Sequence, residues 1–140
     1  MATTSSPQIL AAESLIGDSV VDSVGELMGR MEELIVDPDQ GRLIYAVLSF
    51  EPKFGMGDRL FAFPWPLLRY DAEGRRLVLH LPKEQLKTAP GFDRRDWPTM
   101  SDRDWNREIH RFYGLGQIWE EYERRAVSSD KPLPEQRTHH

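Results

Sequence analysis

From Leu15 to Leu81, short apolar runs alternate with turn signals. Their spacing, about one strand per 8–12 residues, predicts a small barrel or sandwich. Val20-Val21 is the core of a short strand, and Asp22-Ser-Val-Gly-Glu26 follows as a turn. Leu27 to Val36 is a longer strand carrying polar Arg30, Glu32 and Glu33. Asp37-Pro-Asp-Gln-Gly41 is a turn: Pro38 presets φ, and Gly41 is free to take a positive φ. Leu43-Ile-Tyr-Ala-Val-Leu-Ser-Phe50 is apolar on both faces. That pattern predicts the most buried strand, clamped between the barrel interior and an outer cover.

Glu51 to Gly57 reads as a loop with glycines on either side of Met56. Asp58 to Phe63 is the next predicted strand, closed by Pro64, and Trp65-Pro66 interrupts the ladder. Leu67 to Tyr70 can pair again, and Asp71-Ala-Glu-Gly74 is a hairpin turn. Arg76 to Leu81 places Leu77, Leu79 and Leu81 on one face, with Val78 and His80 on the other. Pro82 ends that strand, and Lys83 to Lys87 forms a short helical turn.

The period changes after Pro90. Gly91-Phe-Asp-Arg-Arg-Asp-Trp-Pro98 is an aromatic linker. Ser101 with Asp104 three residues on is a variant capping box, so a helix is expected to start there. Trp105, Ile109 and Phe112 then share one helical face, which sets His110 toward solvent. After Gly114 and Gly116, a second stripe runs through Ile118, Trp119, Tyr122 and Ala126.

Composition narrows the class. A single domain suits 140 residues. A chain of that size buries roughly 68% of its unfolded surface, enough for a core without staples. The chain has no cysteine, which excludes a disulfide scaffold, a thiolate metal site and a thiol nucleophile. The net charge of −5 argues against a general nucleic-acid binder. No leader or membrane-spanning run is expected, and the predicted location is cytoplasmic. The expected organisation is a disordered tail over 1–11, a barrel over 12–82, a linker and helical extension over 83–127, and a second disordered tail over 128–140. That last tail ends in His139-His140, read as a native end or a tag remnant.

Several segments together resemble the PRC-barrel family. They are Leu15-Ile-Gly17, Val24-Gly-Glu-Leu-Met-Gly29, Ile35-Val-Asp-Pro-Asp-Gln-Gly-Arg42, Tyr45-Ala-Val-Leu-Ser-Phe50 and Gly57-Asp-Arg-Leu-Phe-Ala-Phe-Pro-Trp65. The segment from Ala89 to Pro98 and the helix after it resemble the extension of stand-alone bacterial members. The family includes the cytoplasmic domain of the photosynthetic reaction-centre H subunit, and a related barrel forms the C-terminal half of the ribosome maturation factor RimM. The resemblance implies a mainly β fold: a small six-stranded, SH3-like barrel with a C-terminal α-helical extension, used for binding or assembly. The sequence shows neither a membrane helix before the barrel nor a second domain beside it, so the expectation is the stand-alone class.

Candidate chemistry is sparse. Asp37, Asp39 and Gly41 are spaced like the start of a calcium loop, but position 12 of that loop is Leu48 rather than a bidentate Glu. Gly55-Met-Gly57 lacks the spacing and the following helix of a phosphate loop. Glu32 and Glu33 point to opposite strand faces and make a poor acid–base pair. His80 is read as a surface or rim residue, and no catalytic, metal or cofactor site is expected.

The aromatics carry more information. Phe61, Phe63, Trp65, Phe92, Trp97, Trp105, Phe112, Tyr113 and Trp119 either fill the barrel and fasten the helices to it, or partly form a partner surface. Phe54, Met56, Trp65, Trp97, Trp105 and Trp119 are the candidate partner-binding residues. Arg94, Arg95, Arg103, Arg107 and Arg111 are balanced by Asp93, Asp96, Asp102, Asp104 and Glu108, a mixed charged face. The expected role is a non-enzymatic protein-interaction or assembly module, a homo-oligomer (dimer) that binds other proteins, without direct nucleic-acid binding or membrane insertion. The alternatives are an accessory factor in RNA or ribosome metabolism, or a soluble accessory of a photosynthetic or electron-transfer membrane complex.

Overall fold

A computed structural model describes residues 9–128. The expected tails fall largely outside them, His139 and His140 included. The alternating region forms six strands: β1 (Ser19–Val21), β2 (Leu27–Asp37), β3 (Arg42–Phe50), β4 (Phe61–Pro64), β5 (Leu68–Asp71) and β6 (Arg76–Leu79). They make one sheet in the order β4-β3-β2-β1-β6-β5. The β1–β6 pair is parallel and the other pairs are antiparallel.

The connectivity explains the curl. β4 and β5 occupy opposite edges, yet only the 3-10 turn Trp65–Leu67 separates them. A flat six-stranded sheet would set those edges roughly 24 Å apart at about 4.8 Å per strand. Three residues of 3-10 helix rise only about 6 Å. The sheet therefore closes on itself as a half-barrel. The β2–β3 ladder shifts register twice, at Met31/Glu33 and at Ile35/Val36, irregularities that bend paired strands and increase their twist.

Gly29 marks the tightest approach. It stands opposite Phe50, and a Cβ there would lie 1.8 Å from the Ser49 carbonyl oxygen. Only a residue without a side chain lets β2 and β3 meet this closely. Gly41 closes the β2–β3 turn with φ of 67°.

β3 is buried from Ile44 through Leu48, as its unbroken apolar run predicts. Phe50 meets Phe61 at 5.4 Å and Phe63 at 5.9 Å, both edge to face. The outer cover comes from α2 (Arg103–Phe112) and α3 (Gly116–Ser128), and α1 (Lys83–Lys87) follows β6. No helix among the described residues is long and apolar enough to cross a membrane.

Four local expectations are corrected. The strand expected from Asp58 begins at Phe61, because Leu60 pairs alone with Phe92 through bonds of 2.9 and 2.8 Å. β6 stops at Leu79; the next amide, His80 N–H, reaches the Leu67 carbonyl outside the ladder. α2 starts at Arg103 behind Asp102 with no side-chain cap, so Ser101 and Asp104 do not form the expected box. His110 is 0% exposed instead of facing solvent. α2 is covered on two sides, so a second line, Asn106, His110 and Tyr113, is buried beside the Trp105/Ile109/Phe112 stripe.

Candidate functional site

The seam between β3 and the two helices is built around Tyr45. Strand alternation turns this residue toward α2, and it is fully buried. Its hydroxyl donates to Asn106 Oδ1. Asn106 Nδ2 donates to the Met100 and Asp102 carbonyls at 2.9 and 2.8 Å, which fixes the amide's orientation and ties down the segment before α2. His110 Nδ1 lies 2.9 Å from the Asn106 carbonyl and 3.2 Å from the Tyr45 hydroxyl. A carbonyl only accepts, so Nδ1 carries the proton.

Aromatic rings enclose the imidazole: Trp119 at 5.1 Å, Tyr45 at 5.3 Å and Tyr122 at 6.1 Å. Trp105 meets Tyr45 edge-on at 5.3 Å, and the Arg42 guanidinium covers Tyr122 at 4.4 Å. Burial pushes the His110 imidazole below its ordinary pKa and the Tyr45 phenol above its own. This constellation is suited to clamping two layers together in their neutral forms. No group of three His, Cys, Asp or Glu side chains that could hold a metal occurs among the described residues.

The six candidate partner residues do not form one cluster. Phe54 lies 6.1 Å from Phe50 with Lys53 over its ring, and both Phe54 and Met56 pack partly against the core. Trp65 is half-buried in the 3-10 turn. Trp105 and Trp119 meet the Tyr45–His110 pair and fasten the helices. Trp97 differs: it is 40% exposed and the only exposed aromatic among the described residues.

The surroundings of Trp97 hold it rigidly. Its indole N–H donates to the Arg94 carbonyl at 2.9 Å, and its ring lies 5.1 Å from Phe92. Phe92 is anchored to Leu60 by the paired backbone bonds, and a Cβ on Gly91 would lie 2.6 Å from the Phe61 ring. The linker is thus seated directly on the barrel. Arg94 adds ion pairs to Asp58 at 3.4 Å and Glu32 at 3.7 Å. Glu32, the extra residue of a β2 bulge, is half-buried and accepts from the Ser49 hydroxyl at 2.6 Å. It is therefore not one of a freely solvated pair with Glu33, which is exposed.

Two hollows lie over the helices. One, of about 70 Å³, is lined by Arg107, Arg111, Gly116, Trp119 and Glu120. It is well below the roughly 300 Å³ at which small-molecule sites begin. The other, of about 470 Å³, opens widely over Arg103, Arg107, Glu120, Glu123 and Arg124. There Glu123 already pairs with Arg103 at 3.3 Å and Arg107 at 3.4 Å.

Of Asn106, His110, Tyr122 and Arg42, the sequence reading sets His110 toward solvent, places Tyr122 only in a helical stripe and gives the other two no role at a site. The signal for Asn106 and His110 was the i, i+4, i+7 spacing of Asn106, His110 and Tyr113. It becomes readable once a second helix is allowed to cover α2.

A curled six-stranded sheet with a 3-10 turn bridging its edges defines a small SH3-like barrel module. A family model of the PRC-barrel domain matches residues 7–86, and the chain belongs to that family. No curated protein matches the chain.

Proposed function

We propose that the protein is a non-enzymatic interaction module that works in the cytoplasm and docks a protein partner on Trp97. The observation that carries this reading is the preorganised exposure of that ring, held by the Arg94 carbonyl and Phe92. Exposed tryptophans flanked by arginine concentrate binding energy at protein interfaces, and a ring fixed in advance loses little entropy on docking. Arg94 and Arg95 flank it, and Arg95 is largely exposed beside Asp93. A partner offering an apolar pocket rimmed by mixed charge fits this surface, and sedimentation tests a second copy of the chain as that partner.

Affinity capture and sedimentation, run on the wild type and on Trp97→Ala, test this reading. The wild type should retain a reproducible partner or self-associate. The variant should stay folded and lose that association. Undiminished association in the folded variant would contradict the reading.

A further inference from the structure

We propose that His110 is a proton-sensitive pin: one added proton on its Nε2 undocks α2 and α3 from β3. The proposal does not depend on Trp97 or on the identity of any partner.

The geometry leaves the proton no suitable place. Nδ1 already donates to the Asn106 carbonyl, so only Nε2 can accept a further proton. Nε2 is buried and has no hydrogen-bond partner. Protonation would create an N–H and a positive charge in a closed box, and an unpaired buried donor or charge is costly.

The groups on each side of the box are already committed elsewhere. β3 contributes Tyr45, whose hydroxyl proton is committed to Asn106, and Arg42, a second cation lying on the Tyr122 ring. α3 contributes Trp119, Tyr122 and Glu123, and the Glu123 carboxylate is held by Arg103 and Arg107. α2 itself contributes Asn106 and Arg107. No carboxylate pairs with the imidazole among the described residues. The rings around it would attract an imidazolium, but Arg42 already occupies the face of Tyr122 and opposes a second positive charge there.

The direction with pH follows. The docked imidazole has a lowered pKa, while the undocked one titrates near 6.5. Between those two values the undocked form takes up a proton that the docked form refuses. The undocked-to-docked ratio therefore grows as pH falls, by about tenfold per unit. Undocking would bare the outer face of β3 around Tyr45, with Trp105 and Trp119, as an apolar surface.

The test is two-dimensional NMR of the full chain from pH 7.5 to 5.0, following the His110 imidazole nitrogens and the amides of residues 103–126. At pH 7.5 His110 should be neutral with the proton on Nδ1. Below about pH 6.5 a second, undocked set of α2–α3 signals should grow about tenfold per unit while β2–β3 signals hold. In His110→Gln, which keeps every other histidine, this growth should disappear. Titration of His110 in place near 6.5 with α2–α3 still docked would overturn the proposal. Growth that persists in a folded His110→Gln would overturn it as well. Should that variant not fold, the wild-type titration decides alone.

Discussion

Inside the half-barrel, Phe50, Phe61 and Phe63 pack edge to face with no polar side-chain atom among them. Across the outer face of the same sheet, Tyr45 meets Asn106 and His110 through directed hydrogen bonds. The first arrangement depends on volume and area, and it tolerates a range of conditions. The second depends on each donor finding its acceptor, and an unmet group there is costly. The junction of barrel and extension thus has a conditional polar part beside apolar contacts such as Phe63 with Tyr113, while the barrel's own core has no such polar part.

The largest effects should come from the barrel. Phe63→Ala removes a fully buried ring that touches Phe50 and Tyr113, and should lower stability by about 3–5 kcal/mol in urea unfolding. Gly29→Ala should be of similar severity, since its Cβ would force β2 away from the Ser49 carbonyl. A near-wild-type urea midpoint for Gly29→Ala would show that the β2–β3 approach is looser than described.

The seam should respond less, and locally. Tyr45→Phe keeps the ring but leaves Asn106 Oδ1 without its donor, for about 1–3 kcal/mol. The loss should appear as lowered protection of α2 and α3 rather than of β2 and β3. Trp97→Ala should change stability by no more than about 1 kcal/mol, because the ring lies outside the core and gives up one backbone hydrogen bond.

The smallest effect belongs to the exposed cluster of Glu26 with Lys83 at 2.8 Å and Lys53 at 3.0 Å. Hydrogen bonds from Lys83 and then Lys53 hold the Glu26 carboxyl at about 2. A depressed carboxyl stabilises the fold above its ordinary value and loses that contribution as pH falls toward 2. Glu26→Gln should flatten this acid limb slightly, and added salt should erase the difference between variant and wild type.

The strands were legible because period-2 alternation and the turns at Asp37–Gly41 and Asp71–Gly74 are local signals. The unbroken apolar run of β3 announced that both its faces are covered. What covers it was less legible. A helical stripe shows which side meets the first neighbour, but the second neighbour of α2 is set by tertiary packing, and that buries His110. The pairing of Leu60 with Phe92, which shortens β4, joins residues far apart in sequence and leaves no local signature. Among the five candidate aromatics and one methionine, the sequence did not separate Trp97 from the rest. Exposure depends on the linker's path over Phe61, which Gly91 permits.

Native-state hydrogen exchange at pH 7, resolved residue by residue, tests the contrast between dry barrel and polar seam most directly. The account predicts that amides of α2 and α3 exchange through a partial opening at lower free energy than those of β2 and β3, and that Tyr45→Phe lowers the first set alone. Exchange of both regions through one global unfolding, with Tyr45→Phe lowering all amides equally, would contradict it.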